Sequence, residues 1–588
     1  MTIIAGAWRA SGATIPAEIT GALVHGLSRD PADQAWIHDV PGCFLAKVDV
    51  GVYGEPAAVS APDGSASVLA GEPLVDWQDG VLWRPRDADT DYLHQALRQG
   101  NRQVLQCASG IWCMAQYDAN GHMLRLITDQ LGTRPLYEAR VGDCVVFASA
   151  LRILEAIPGL DLRLDVRGIT EQAILQAPLD GRTTYLGVHL LRPGEIIEHS
   201  APGRTSRVTR EWDRVPHRHF NDDEAIDAVH TAFIRAVDRR RRDDTAAVSF
   251  LSGGLDSRII VAAMRNAGLS VQTLNFSLVG SLDHAIGGLF AEAVGTFHVS
   301  RPYHAGLDDD YAEMACAVLR ESPAISGVIP ERPRLLWAGY GGSAFIGQIN
   351  SRPEYAALCR NGDLPGAVDA FFRVKIGDVP TRLFRKPFGG TLARDTRGGV
   401  LSEIERLSPE DPGRLMELYL LHNATRCQMH AHHEATDLRR VELQVPFFDA
   451  DFVAVALGIP SELLAGHRLY HRWLERFGPP VTTIPWQAYP NHEPCPLPPP
   501  AGARPQWELA SEQSFRRKAL LRAARRLVGG PLPTELLDRR YLGAVSLAHW
   551  LGLRNYGYAI RLAHRYTGAW LRTGRKAIPL PEVGSAAA

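Results

Sequence analysis

The pattern of apolar and polar positions changes character once along the chain. Up to about residue 210, short apolar or alternating runs such as "GVLWRP", "MLRLITD", "CVVFASA" and "GEIIEHS" are separated by Gly, Asp and Asn turns, which reads as a succession of strands. Helical periodicity is sparse there and is carried by "ADTDYLHQALRQ". The expectation is a sandwich-like α+β unit. From "NDDEAIDAVHTAFIRAVDRR" onward, apolar residues Ala225, Ile226, Val229, Phe233, Ile234 and Val237 recur at three- and four-residue steps, with Asn221 or Asp222 as the cap. An apolar run ending at Leu251, a glycine turn, a helix whose first turns include Arg258 to Met264, and a second strand, "SVQTLNFSL", follow. Strand alternating with helix predicts an α/β unit with a doubly wound parallel sheet, to which later helical segments are added. The predicted division is 1–212 and 213–588, and the proline-rich "YPNHEPCPLPPPAGARPQW" reads as a long surface loop.

Composition sets limits on function. With 588 residues, 45% hydrophobic and 22% charged, the chain can build two sizeable cores. A net charge of −2 gives no reason to expect a nucleic acid partner. Eight cysteines without a CxxC pair argue against a zinc knuckle or a disulfide framework and fit a reducing cytoplasm. The first residues lack the pattern of a signal peptide, and no apolar run approaches the ~20 residues that span a bilayer, so neither export nor a membrane partner is expected.

The chemistry concentrates in "FLSGGLDSRII", Phe250 to Ile260. A polar glycine turn between a buried strand and a helix is suited to an anion, because the helix start offers unpaired N–H groups and a positive dipole end. The turn lacks both GxxxxGK[ST] and GxGxxG, which disfavours a Walker-type site and a dinucleotide. What remains, S-G-G-x-D-S, suits the pyrophosphate portion of ATP cleaved between its α and β phosphates. Leu251, Ser252, Gly253, Gly254, Asp256 and Ser257 form the candidate ATP-binding loop. Asp256 repels phosphate and makes sense there only through Mg²⁺, which takes carboxylate and phosphate oxygens. The expected cofactors are therefore ATP and Mg²⁺.

These motifs lead to a resemblance. "TDQLGTRPLYEA" (Thr128–Ala139), "LRPGEIIE" followed by "REWD", the S-G-G-x-D-S loop, and "VELQVPFFDADFVAVALGIP" (Val441–Pro460) occur in the order seen in the asparagine synthetase superfamily, which the chain resembles over nearly its whole length. The resemblance implies a glutamine-amidotransferase-like first domain and an ATP-pyrophosphatase synthetase domain. "LLWAGYGGSAFIG" (Leu335–Gly347) resembles that family's second nucleotide loop and adds Gly339 to the ATP-binding set.

The departures matter as much. Amidotransferase members use a cysteine at position 2 as the glutamine-hydrolysing nucleophile; here it is Thr2. The first domain therefore reads as a degenerate relic, and the attacking nitrogen must belong to the substrate. That points to the ring-closing branch: lasso-peptide cyclases, which join the N-terminal amine of a precursor peptide to an Asp or Glu side chain, and β-lactam synthetases. Tyr340 falls where β-lactam synthetases carry a tyrosine assisting amine deprotonation. Arg468 stands at the family's catalytic lysine, with the K-x-x-x-R spacing kept as Arg468 and Arg472. Ser343 replaces the second metal-binding aspartate, leaving Asp256 as the metal residue. The lasso reading is preferred because the stretches between Ser343 and Pro446 and after Pro490 offer surface for a precursor peptide, with a leader peptidase as a possible pathway partner. The alternatives are small-ring closure of the β-lactam type, an ammonia-using asparagine synthetase, and a non-catalytic scaffold.

Four features read as structural. Glu442 and Asp449 anchor the "PFFD" turn. "MHAHHE" puts His430 and Glu434 on one helical face without further ligands for a metal. The basic amphipathic "SFRRKALLRAARRL" reads as a solvated helix face, and the run Arg239–Arg242 reads as the close of a surface helix.

Overall fold

The computed structural model describes the chain except for residues 1, 55, 78, 202, 303–313, 316, 320–329, 350–351, 377–378, 490–491, 507, 510–513 and 581–588. Among the described residues, two six-stranded antiparallel sheets build the first part of the molecule. One runs His189–Leu190, Tyr137–Val141, Cys144–Ala148, Thr2–Arg9, Cys43–Asp49, Ala35–Val40 across its width. The other runs Gly203–Val208, Glu195–Ser200, Met123–Thr128, Ile111–Asp118, Ala66–Glu72, Ala58–Ser60. Alternation along the first strand shows how they pack. Ile4 and Trp8 point inward to meet Leu45, Val68, Leu126 and Phe147 between the sheets. Ile3, Ala5 and Ala7 point outward to Ile19, Leu23 and Leu27 of the helix Ala17–Leu27. The far face of the second sheet is covered by Leu93 and Leu97 of the helix Arg86–Arg98. The result is helix, sheet, sheet, helix. The expected strand "GVLWRP" is irregular chain leading into that helix: Pro85 cannot donate to a ladder, and its fixed φ of −55° suits the residue before a helix.

The second part is a five-stranded sheet in the order Phe297–Pro302, Ser270–Ser277, Ala246–Phe250, Leu335–Trp337, Glu442–Gln444. Every neighbouring pair is parallel. Helices Asp222–Arg241, Leu255–Asn266, Leu282–Ala293 and Ala450–Gly458 supply the apolar faces that bury it, through Phe233, Ile259, Phe290 and Phe452. Asn221 caps the first of these in a reciprocal capping box with Glu224. Chain order reverses between Ala246–Phe250 and Leu335–Trp337, so this sheet has its switch point there. Among the described residues no single helix is long and apolar enough to cross a membrane; one bent pair, Ala450–Gly458 with Ser461–Phe477, passes only when taken together and turns by 105° at its break.

Charge joins the two parts. Arg134 Nη2 lies 2.6 Å from Glu442 Oε2, both side chains buried. The run Arg239–Arg242 closes the helix Asp222–Arg241, and two of its members turn inward: Arg240 pairs with Asp449 at 2.6 Å and Arg242 with Glu72 at 2.6 Å, all four buried. Asp449 also caps the helix Ala450–Gly458 by accepting from Asp451 N at 3.1 Å. In the helix Ser514–Gly529, Leu520, Ala523, Ala524 and Leu527 enter the core while Arg522, Arg525 and Arg526 stay exposed; the side chains before Leu520 lie outside the described residues.

Candidate active site

The loop after Phe250 and the turn Ala338–Gly341 flank the switch point at the carboxyl ends of their strands, where open α/β sheets hold ligands. Between them opens a cavity of about 430 Å³, lined by Ser252, Gly254, Asp256, Gly339, Tyr340 and Ser343 among others. The two serines fold the loop onto the helix. Ser252 N donates to Ser257 Oγ at 3.0 Å, and Gly254 N donates to Ser252 Oγ at 3.2 Å. The helix Leu255–Asn266 begins one residue earlier than Asp256 and three before Arg258, and no side chain caps it. Its first N–H groups therefore face the cavity as donors for an anion. Gly253 is different: its N–H donates to Asp283 Oδ1 at 3.1 Å, and its carbonyl accepts from Gln487 N at 2.9 Å.

Asp256 stands in the wall as the hub of a small network. Oδ1 accepts from the Ser343 hydroxyl at 2.6 Å and from the Tyr470 hydroxyl at 2.7 Å, and Oδ2 accepts from Ser343 N at 2.9 Å. Desolvation raises its pKa above the ordinary carboxylate value, although all three donors oppose the shift. Desolvation likewise raises that of Asp283, opposed by the Gly253 N–H. The close approach needs glycine in the second loop: a Cβ at Gly342 would sit 2.6 Å from Asp256 Cγ, and one at Gly339 2.7 Å from Ser257 N.

Behind the loop, buried Arg258 clasps a distant segment. Its guanidinium donates to the carbonyls of Val481 at 3.0 Å, Ile484 at 2.7 Å and Pro485 at 2.5 Å. This holds Gln487 against Gly253 and brings Tyr489 into the cavity wall. The proline-rich stretch is thus more than surface: Tyr489 and Gln506 both line the cavity, and Leu282 N donates to Arg504 O at 2.8 Å.

The predicted residues divide. Leu251, Ser252, Gly254, Asp256, Ser257, Gly339 and Tyr340 line one cavity, with Gly253 buried directly behind it. Arg468 does not join them; it is exposed at the start of the helix Arg468–Trp473, outside the cavity lining. Its partner in the motif, Arg472, pairs with Asp222 at 2.5 Å and Asp223 at 2.8 Å at the surface. The residue of that helix that does reach the site is Tyr470. Tyr470, Arg258 and Asp283 were missed by the sequence reading. Only Asp283 carries a local signal, an acid in the first turn of the helix after the second strand.

The amidotransferase position is closed. Thr2 is fully buried in its strand; its hydroxyl donates to Asp49 Oδ2 at 3.1 Å and accepts from Arg86 Nη1 at 3.1 Å. Arg86 and Lys47 both pair with Asp49, at 2.6 Å and 3.3 Å. Nor do His430 and Glu434 meet: the His430 ring bonds Gly132 O at 3.2 Å, and Glu434 accepts from the Tyr137 hydroxyl at 2.6 Å. His432, His433 and Glu442 do bring ligand atoms within 4.8 Å of one another, but the Arg134 guanidinium already supplies Glu442 with positive charge.

A strand–glycine loop–helix at the switch point of a parallel sheet, beside a double antiparallel sandwich, defines a two-part protein with a cleft suited to an anion. Comparison with known families finds two matching segments. Residues 78–212 match the glutamine amidotransferase domain and residues 228–325 match asparagine synthase. The chain is thus similar to asparagine synthetases in these two segments. It is 27% identical over 179 residues to asparagine synthetase [glutamine-hydrolyzing] 3 of Bacillus subtilis, covering 30% of this chain and 29% of that protein. To a putative asparagine synthetase [glutamine-hydrolyzing] of Mycobacterium bovis it is 27% identical over 224 residues, 37% of this chain and 34% of that protein. The chain thus spans about a third of the length of these relatives. Among solved structures, the allosteric regulatory enzyme of purine biosynthesis overlaps 53% of this chain and 82% of its own at 12% identity, with a TM-score of 0.27.

Proposed function

We propose that the chain is an ATP-dependent, AMP-forming ligase that makes an amide bond between a carboxylate and an amine carried by the same substrate. The observation that carries the reading is the uncapped helix start at Leu255, held by Ser252 and Ser257 against a cavity at the switch point. A carboxylate oxygen attacks the α-phosphorus of ATP, the α–β phosphoanhydride bond breaks, and pyrophosphate leaves. The amine then attacks the acyl carbon, AMP departs with the carboxylate oxygen, and the amine loses a proton. The helix N–H groups and the loop hydroxyls would receive the charge that builds on the leaving pyrophosphate. Holding amine and acyl-adenylate together can replace about 7–11 kcal/mol of encounter cost.

Magnesium fits this wall in a limited way. Oδ2 of Asp256 accepts only one protein hydrogen bond and so keeps a free lone pair, whereas Ser343 faces Asp256 as a donor. Bound Mg²⁺ would neutralise phosphate charge, resting on Asp256 and chiefly on phosphate oxygens.

The sealed Thr2 favours a substrate-borne amine over ammonia from glutamine. The finer reading is therefore macrolactam formation on a precursor peptide, between its N-terminal amine and an Asp or Glu side chain, with a leader peptidase as pathway partner. Tyr340 at the cavity wall, 39% exposed, supports small-ring closure as the second reading, since its hydroxyl can reach an incoming amine. The test is incubation with ATP, Mg²⁺ and synthetic peptides that combine a free N-terminus with an internal Asp or Glu. AMP with pyrophosphate and a peptide lighter by one water is the expected result; stoichiometric ADP defeats the reading.

A further inference from the structure

Next to the nucleotide cavity lies a larger one of about 810 Å³, and Gln428 lines both. Its walls come from segments far apart in the chain: the short helix Thr381–Leu383, the stretch around Arg554, and the helix Gly557–Arg572. That last helix is two-faced. Ile560, Leu562, Ala563 and Tyr566 are buried, while Tyr558, Arg561 and Arg565 recur at three- and four-residue steps on an exposed face that looks into the cavity. Arg382 and Arg554 complete the set, so four guanidinium groups line the cavity and no Asp or Glu does among the described residues.

Many other arginines of this molecule meet carboxylates, among them Arg134 with Glu442, Arg240 with Asp449, Arg332 with Asp244 and Arg360 with Asp411. Among the described residues Arg382, Arg554 and Arg565 have no carboxylate partner. Like charges gathered around a concave surface repel one another and raise the local potential, and that cost is recovered when an anion enters. Guanidinium forks match carboxylates in bidentate geometry, and the neighbouring tyrosine ring adds a flat apolar contact.

We infer that the cavity formed by Arg382, Arg554, Arg561 and Arg565 is the substrate's docking site, and that it takes an acidic peptide segment whose acylating end reaches the nucleotide cavity past Gln428. The inference rests on the amide-ligase reading and names its substrate class. Size favours a peptide over a single small acid, because this cavity is larger than the one beside the nucleotide loop and shares Gln428 with it as a wall residue. Net charge on the chain as a whole is only −2, so the attraction is local to this wall.

The experiment is fluorescence anisotropy of labelled hexaglutamate and hexalysine with the full chain at low salt and without nucleotide. Hexaglutamate binds and hexalysine does not. Arg561→Gln/Arg565→Gln weakens hexaglutamate binding by about tenfold or more, as expected for losing two partly solvated charge contacts. Arg522→Gln/Arg525→Gln, on the exposed face of another helix, leaves it within a factor of about two. Equal affinity in both double variants, or no hexaglutamate binding, overturns the inference. So does stronger competition by tripolyphosphate than by unlabelled hexaglutamate, which would assign the wall to a phosphate ligand. Because nothing here depends on turnover, acidic-peptide binding without AMP formation sinks the ligase reading alone, and AMP formation without acidic-peptide binding sinks this inference alone.

Discussion

Arg134 and Glu442 are 308 positions apart in the chain and 2.6 Å apart in space, and they couple the sandwich to the parallel sheet through one buried ion pair. Arg134 follows the Asp129 turn, whose carboxylate accepts from the backbone of Leu131, Thr133 and Arg134; Glu442 starts the edge strand of the second sheet. Removing one partner strands a charge in the interior. Arg134→Met or Glu442→Leu should each lower unfolding free energy by about 3–5 kcal/mol, whereas the double substitution should recover most of the loss. Urea denaturation of the three variants checks this, and additive losses in the double variant would refute the coupling.

Position 2 offers a second test. The Thr2 hydroxyl is enclosed between Asp49 and Arg86, so glutamine has no approach to it. Neither the natural chain nor Thr2→Cys should release glutamate from glutamine above a no-protein control. Glutamate release by Thr2→Cys alone would mean that the enclosure opens in solution; release by both would restore an amidotransferase role.

Ser343 is a hydrogen-bond donor to Asp256, so Ser343→Asp puts two carboxylates in contact. One of them should then hold a proton in the folded state, with a pKa above its unfolded value. The sign follows: the variant gains stability relative to the natural chain as pH falls and loses it as pH rises through the raised pKa. At neutral pH its melting temperature should drop, and Mg²⁺ with ATP should restore it more than it shifts the natural chain. A variant that melts at the natural temperature at neutral pH would show that residue 343 turns away from Asp256.

Buried histidines make the chain acid-sensitive. Burial lowers the pKa of His430 to about 3 and of His432 to about 4. Both stay neutral in the fold and gain a proton only on unfolding, so stability is intact above about pH 6.5 and falls below it. At pH 5 the loss should be about 2 kcal/mol for each. His432→Phe should flatten the decline between pH 6.5 and 5, as read from denaturant midpoints; an unchanged slope would assign the acid response elsewhere.

Locality decided what could be read from the chain. The S-G-G-x-D-S loop was legible because strand, turn and helix start are contiguous, and the sandwich because alternation is a two-residue pattern. The inward turn of Arg240 and Arg242 was not legible, because their partners Asp449 and Glu72 lie about two hundred positions away, which no window of sequence contains. The helix at Arg468 shows the same limit in small. Two residues along a helix turn through about 200°, so Arg468 faces solvent while Tyr470 reaches Asp256. The four-arginine wall was equally hidden, since its members come from three separate segments.

The clasp of Arg258 on the carbonyls of Val481, Ile484 and Pro485 has a bearing on how the chain is made. Those carbonyls are separated from Arg258 by 223 to 227 positions. At the usual elongation speed of about 5–20 residues per second, the ribosome needs roughly 10–45 s to supply them after Arg258 has been added. Through that interval the nascent loop has its glycines and serines but not the segment that braces Gly253 and seats Tyr489. The cavity at the switch point is thus assembled late in synthesis, and a nascent chain that has not reached residue 485 carries the glycine loop without the wall that braces it.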